Sequence, residues 1–310
     1  MSIIERAAEL LRSEAPGQQS RPAKGKKDDL HRQDLIERAA AELAEANYAA
    51  ANAEGPLEVE RKRSPGAAPG RAARQFAVDR NHLRNLSLIT PDDKRTPLAE
   101  SFRRIKREIL ANIENRKPGA PPANLVLVTS ALAGEGKTFC ATNLAISMAL
   151  ERDRTVLLVD ADVANPSVPR TLGLKAEAGL MEILLDRHVN VEDMLWQTDI
   201  GGLTVLPAGT AHQHATELLA SDAMRGLLRD MAERHPDRIV VFDSPPLLAA
   251  SEAGALASQV GQIVVVVEAG KTSEATLKHA LGRIDAGRVT GLLLNKVEAT
   301  PLQYSYDVYG

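Results

Sequence analysis

A doubly wound α/β fold on a mostly parallel sheet is predicted by three observations. Six short runs dense in Val, Ile and Leu recur between residues 124 and 295. Helical stretches separate them. A glycine-rich turn, Gly134-Glu135-Gly136, follows the first run and opens a helical stretch. Strands apolar at almost every position are buried on both faces, as in parallel sheets. Alternation with helices supplies the crossovers.

The elements follow in chain order. Residues 1–95 read as an N-terminal region of linker or disorder with short amphipathic helices. "SIIERAAEL" at 2–10 and "LIERAAAEL" at 35–43 each place apolar residues on one helical face. Pro-, Gly- and charge-rich segments surround them. Order is expected to begin at residue 96, with a domain over 96–300 and a flexible tail over 301–310. Thr96 is a suitable N-cap and Pro97 a suitable first helical residue. Leu98, Phe102, Ile105, Ile109 and Ile113 recur at helical spacing, with Glu100, Arg103, Arg104 and Arg107 on the other face. Pro118-Gly119 stops that helix. The predicted strands are 124–130, 155–160, 203–207, 238–243, 262–269 and 289–295. "FCATNLAISMALE" and "ATELLASDAMRGLLRDMAERH" are among the helical stretches between them.

The net charge of −3 divides unevenly. Residues 1–120 carry 23 Lys+Arg against 18 Asp+Glu, and residues 121–310 carry 15 against 23, so the front is +5 and the back −8. That asymmetry suits an anionic membrane face, another partner or a solvated linker. One cysteine, Cys140, excludes an intramolecular disulfide and fits a reducing compartment. No run approaches the roughly 18 apolar residues of a membrane span. A cytoplasmic protein is expected, with any membrane contact peripheral or through a partner.

The most specific segment is "SALAGEGKTFCATNLA". Glycines at a strand-to-helix turn let backbone N–H groups converge on phosphate oxygens, and the helix N-terminus adds its positive end. Lys137 can reach the β- and γ-phosphates, and Thr138 can offer its hydroxyl to Mg²⁺. The first glycine of the usual pattern is replaced by Ala131. Asp160, Asp162 and Asp243 close two of the apolar runs. Ligands of open α/β sheets bind at the carboxyl ends of strands. The three acids should therefore share an edge with the loop and hold or orient a metal ion, since Mg²⁺ prefers oxygen ligands.

Taken together, "GEGKT", "LLVDADVANP" and "IVVFDSPPLL" resemble the bacterial protein-tyrosine kinases of the polysaccharide co-polymerase type, nearest the autokinases of exosortase-linked exopolysaccharide systems. The resemblance covers about 96–310. It implies a P-loop NTPase fold and an ATP site of Gly134, Glu135, Gly136, Lys137, Thr138, Phe139 and Asn295. It implies Mg²⁺ at Thr138, Asp162 and Asp243, and catalytic roles for Lys137, Asp160 and Asp162, with the base left open between the two acids. By resemblance Asn295 reads the adenine; taken alone it could equally cap the last strand. Glu100, Arg103 and Lys106 resemble an oligomer-interface motif, with Lys106 in place of an arginine. Asn165 stands where an arginine often follows the acid pair. Partition-type ATPases carry a lysine early in the loop, and "ALAGEG" has none.

Four tyrosines occur in the chain, and three of them, Tyr304, Tyr306 and Tyr309, fall in the last seven residues. If the last strand is parallel to the rest, the tail leaves from the catalytic edge. At about 3.3–3.6 Å per residue, Tyr304 reaches roughly 30 Å and Tyr309 nearly 50 Å from Asn295. The resemblance implies that they are phosphoacceptors, modified in trans within a homo-oligomer. It also implies an activator, the cytoplasmic segment of a separate membrane chain-length protein, which would recruit the chain to the inner face of the membrane. A partition-type ATPase and a nucleotide-gated scaffold are the alternatives, and both leave the tail unexplained. Tyr48 reads as a packing residue, Cys140 as core, and His212 and His214 as a solvated loop with no third ligand nearby. The basic run "ERKRSPG" lacks interleaved aromatics, so no nucleic acid is expected.

Overall fold

The computed structural model describes residues 74–92, 96–117, 119–235 and 237–297. The helical patterns at 2–10 and 35–43, Tyr48 and the tail tyrosines lie outside the described residues.

Eight strands form one sheet: β1 (Arg74–Phe76), β2 (Leu125–Ser130), β3 (Thr155–Asp160), β4 (Trp196–Thr198), β5 (Leu203–Leu206), β6 (Arg238–Asp243), β7 (Gln262–Glu268) and β8 (Val289–Asn295). Their spatial order is β1-β4-β5-β3-β6-β2-β7-β8. The run from β5 to β8 is parallel throughout. β4 is antiparallel to β5, and β1 is parallel to β4. The six parallel strands are those expected from the sequence, within a residue at their ends.

Alternate residues of each central strand enter opposite cores, as the twofold period of a strand requires. Val126, Val128, Val156 and Leu158 face one core. Leu125, Leu127, Leu157 and Val159 face the other. The first core is covered by α1 (Arg80–Asn85), α2 (Pro97–Glu114), α3 (Lys137–Ala149) and α4 (Val168–Leu172). The second is covered by α5 (Leu180–Leu185), α6 (Val191–Met194), α7 (Ala215–Leu219), α8 (Asp222–Glu233), α9 (Ser251–Ala257) and α10 (Glu274–Leu281). No helix among the described residues is long and apolar enough to cross a membrane.

α2 begins as expected. Thr96 caps it, with its hydroxyl oxygen accepting from the Ala99 N–H at 3.1 Å. Phe102 and Ile109 are buried against α3, with Leu98, Ile105 and Ile113 partly buried beside them. The helical stretch over 215–235 is divided into α7 and α8, because Ser221 takes an extended conformation and caps α8 by accepting from the Met224 N–H. A serine hydroxyl competes well for the free N–H groups of a first turn.

Residues 74–92 lie before the expected start of order and are built into the same sheet and core. Val78, Leu83, Leu88 and Ile89 are buried in the first core. Asp199 accepts from the Val78 N–H at 2.9 Å and pairs with Arg80 at 3.1 Å. Asn143 of α3 accepts from the Ile89 N–H at 2.7 Å.

Candidate active site

Gly134 and Gly136 both lie in the left-handed region, at φ 85° and 94°. Glycine enters that region without the penalty other residues meet. A Cβ on Gly136 would also overlap the Asn295 amide nitrogen. The two glycines turn the chain sharply from the end of β2 into α3, whose first residue is Lys137. The free N–H groups of that first turn therefore open onto the carboxyl edge of the sheet.

The acids gather at the same edge. Asp160 and Asp243 end β3 and β6 and are register partners on adjacent strands. Lys137 reaches Asp162, Nζ to Oδ2, at 2.9 Å. The Thr138 hydroxyl donates to Asp243 Oδ2 at 2.6 Å and lies 2.9 Å from the Ser167 hydroxyl. Asp160 Oδ2 accepts from the Ser167 and Val168 N–H groups, each at 2.9 Å. The structure thus brings Gly134, Gly136, Lys137, Thr138, Asp160, Asp162 and Asp243 to one edge. Phe139 follows in α3, partly buried against the first core. Ser167, which no sequence motif singled out, joins the group because the loop after Asp162 folds back to α4.

Three of these carboxylates are out of water. Asp160 and Asp243 are 0% exposed and Asp162 is 2% exposed. Burial pushes the Asp243 carboxyl up to about 8, and the neighbouring Asp160 adds to the rise against the Thr138 hydrogen bond. Burial likewise pushes Asp160 up to about 6, opposed by the N–H groups of Val168 and Ser167. Asp160 Oδ1 and Asp243 Oδ1 are buried without a hydrogen-bond partner. Two orphaned, crowded carboxylate oxygens suit a site that receives positive charge. Among the described residues no three His, Cys, Asp or Glu side chains converge as a metal cage. Mg²⁺ needs none, since it takes one or two carboxylates with phosphate oxygens and keeps several waters. The donor set of Thr138 hydroxyl and strand-end aspartates fits it.

The end of β8 grips the loop from the side. Asn295 Nδ2 donates to the Glu135 carbonyl at 2.9 Å. Lys296 Nζ donates to the Gly134 carbonyl at 2.7 Å and pairs with Glu268 at 3.2 Å. The Glu135 side chain turns into the protein and is 2% exposed.

Outside this edge, Glu100 pairs with Arg103 at 2.5 Å on α2. Lys106 is 9% exposed, donates to the Ser147 carbonyl at 3.2 Å and pairs with Glu151. Cys140 is buried in α3, and burial pushes its thiol up to about 12, so it stays protonated. His212 and His214 contact each other on the surface.

The profile of the AAA domain family matches residues 124–290, just over half of the chain. Tyrosine-protein kinase YwqD of Bacillus subtilis is 29% identical over 224 residues, 71% of this chain and 90% of YwqD. Succinoglycan biosynthesis transport protein ExoP of Rhizobium meliloti is 32% identical over 241 residues, 74% of this chain and 28% of ExoP. The chain thus spans most of one relative and little more than a quarter of the other. The crystal structure of the VpsO kinase domain matches 66% of this chain and 100% of its own, with a TM-score of 0.52 at 27% identity. The chain belongs to the AAA domain family and, within it, to the bacterial tyrosine-protein kinase family.

Proposed function

We propose that this chain is an ATP-dependent protein-tyrosine autokinase. Its acceptors are Tyr304, Tyr306 and Tyr309, phosphorylated in trans within a homo-oligomer, and its output regulates the production or export of an exopolysaccharide. One observation carries the reading: the phosphate loop, three buried aspartates and the end of β8 share one edge, and three tyrosines follow β8 within 15 residues. Phosphoryl transfer needs positioning and charge neutralisation more than covalent chemistry, and this edge supplies both.

The loop N–H groups and Lys137 hold the β- and γ-phosphates. Asp162 pairs with Lys137 and so orients its ammonium at this edge. Thr138, Asp162 and Asp243 would hold Mg²⁺, which when bound would supply positive charge against the phosphates. Thr138 and Ser167 fix each other's hydroxyls at the metal side. Asp160 already anchors the 167–168 backbone through one oxygen. Asp162 is committed as well, Oδ1 to the Asn165 N–H at 3.2 Å and Oδ2 to Lys137, so either acid is a candidate to accept the proton of the attacking phenol. The Asn295 amide nitrogen is engaged by the loop, which leaves its oxygen to meet the amino group of a base.

YwqD and VpsO are named as kinases, and ExoP as a succinoglycan biosynthesis transport protein, which supports the assignment. The loop has no lysine over 131–136, which disfavours a partition-type ATPase. Glu100 and Arg103 on α2 are proposed to face a neighbouring copy; Lys106, expected with them, is buried against α3 and holds α2 in place instead. The activator is proposed to be the cytoplasmic segment of a separate membrane protein, which recruits the chain to the inner face.

The test is incubation with MgATP followed by intact and peptide mass spectrometry, beside Lys137→Met and a triple Tyr→Phe tail variant. The expected result is phosphate on residues 304–309 that disappears with Lys137→Met. Mixing Lys137→Met with the Tyr→Phe variant should place phosphate on the former, as transfer in trans requires. ATP hydrolysis with a bare tail, even with an activator segment added, would overturn the proposal in favour of an ATPase.

A further inference from the structure

Glu135 lies inside the phosphate loop, yet its carboxylate faces away from the phosphate side and is buried. Oε2 accepts from the Leu132 N–H at 2.6 Å. Oε1 accepts from the Thr272 hydroxyl and, at 3.4 Å, from the Glu268 N–H. One side chain therefore ties the start of the loop to the segment between β7 and α10. The main chain of the same residue is tied as well, since its carbonyl receives the Asn295 amide. Lys296 completes the clamp by bridging the Gly134 carbonyl and Glu268. The adjoining Gly134 and Gly136, at positive φ, have little to hold them in place apart from such ties.

A carboxylate this close to an anion site is electrostatically the wrong sign. Its repulsion of phosphate opposes nucleotide binding, and only a larger positional gain favours keeping it there. Its placement also occupies the Leu132 N–H, so that donor is not part of the phosphate cradle. From this network we infer that Glu135 is a positioning residue: it sets the phosphate loop in its binding shape by anchoring it to Thr272 and Glu268 of the β7–α10 segment. The inference rests on the reading of this loop as the ATP site and names the device that holds it.

The experiment measures nucleotide affinity of the full chain with a fluorescent N-methylanthraniloyl-ATP, beside melting temperature by calorimetry. Glu135→Ala, Glu135→Gln, Thr272→Val and the Glu135→Ala/Thr272→Val pair are compared. Lys137→Met serves as the marker of the ATP site. Loss of a charge-assisted hydrogen-bond network of this size corresponds to roughly tenfold in affinity. Glu135→Ala is expected to weaken binding about tenfold and Thr272→Val about threefold. The pair should be no weaker than Glu135→Ala alone, because both cut one tie. Glu135→Gln should stay within about threefold of wild type, its oxygen on Leu132 and its NH₂ donating to the Thr272 hydroxyl, with only the long 3.4 Å contact from the Glu268 N–H lost, which an NH₂ cannot accept.

Affinity unchanged or improved in Glu135→Ala would overturn the inference and assign the residue to charge balance alone. Gln as poor as Ala would overturn it too. If Glu135→Ala does not fold, Glu135→Gln and Thr272→Val decide: threefold weakening in the second with near-normal binding in the first supports the tie, and wild-type affinity in the second rejects it. Absence of nucleotide binding in the wild type would instead remove the ATP-site reading, a result visible before any Glu135 variant is compared.

Discussion

At the scale of single residues, Asp243 shows how a binding edge is kept under electrostatic tension. One oxygen takes the Thr138 hydroxyl and the other has no partner, in a place with no exposure. Its folded pKa, about 8, lies above the ordinary 3.8. The folded state therefore holds its proton longer than the unfolded chain does. Stability linked to this group is greatest below about pH 4 and declines as pH rises towards 8. Asp160, raised to about 6, acts in the same direction over a narrower window. We predict that Asp243→Asn raises the melting temperature of the nucleotide-free, metal-free protein, and that the gain grows between pH 5 and pH 8. Each kcal/mol recovered corresponds to about 2–4 °C in a domain of this size, and calorimetry in EDTA reads it. Nucleotide-linked stabilisation should fall in the same variant. Lys137, Thr138 and the three aspartates could be read from the sequence because strand ends and a glycine turn fix their location. Ser167 and Lys296 could not. Their roles depend on a loop folding back to Asp160 and on a strand ending against Gly134, contacts with no sequence period.

At the scale of elements, α2 and α3 are joined by more than their apolar seam. Lys106 sits near the C-terminal end of α3, donates to the Ser147 carbonyl and pairs with Glu151. A cation there satisfies free carbonyls and the negative end of the helix. We predict that Lys106→Ala costs about 1–2 kcal/mol in urea unfolding, whereas Glu151→Ala, at a half-exposed partner, costs about 0–1 kcal/mol. Equal losses would refute the role of the carbonyl. The cap, the first residue and the buried face of α2 were all legible, since Thr96-Pro97 and a sustained helical period act locally. That Lys106 turns inward was not, because a long aliphatic stem can bury while its charge reaches a distant helix end. β1 and β4 were missed for a different reason. Each is three residues long, and Trp196-Gln197-Thr198 has no apolar period; their pairing depends on β5 already being in place.

At the scale of the whole molecule, the parallel sheet and its two cores follow from six apolar runs, but its outer limit does not. A chain started at residue 96, where the helix signal begins, would lack Val78, Leu83, Leu88 and Ile89 of the first core. Full burial of such side chains contributes about 1.5–3 kcal/mol each. Asn143 would also lose the Ile89 N–H. We predict that a chain beginning at 96 melts about 10 °C or more below one beginning at 71, or precipitates, as thermal scans of the two would show. Matching curves would mean that residues 74–92 add little.

The strand order has a consequence for the making of the protein. β2 and β3 are neighbours in sequence, yet β6 lies between them. While a ribosome is still threading residues 161–237, each of these two strands is left with an unfilled side. At 5–20 residues per second that interval is roughly 4–15 seconds. For this time the nascent chain carries at least three Val- and Leu-rich edges, both sides of β2 and one of β3, so its yield in a cell depends on what shields them until Arg238–Asp243 and then Gln262–Glu268 emerge.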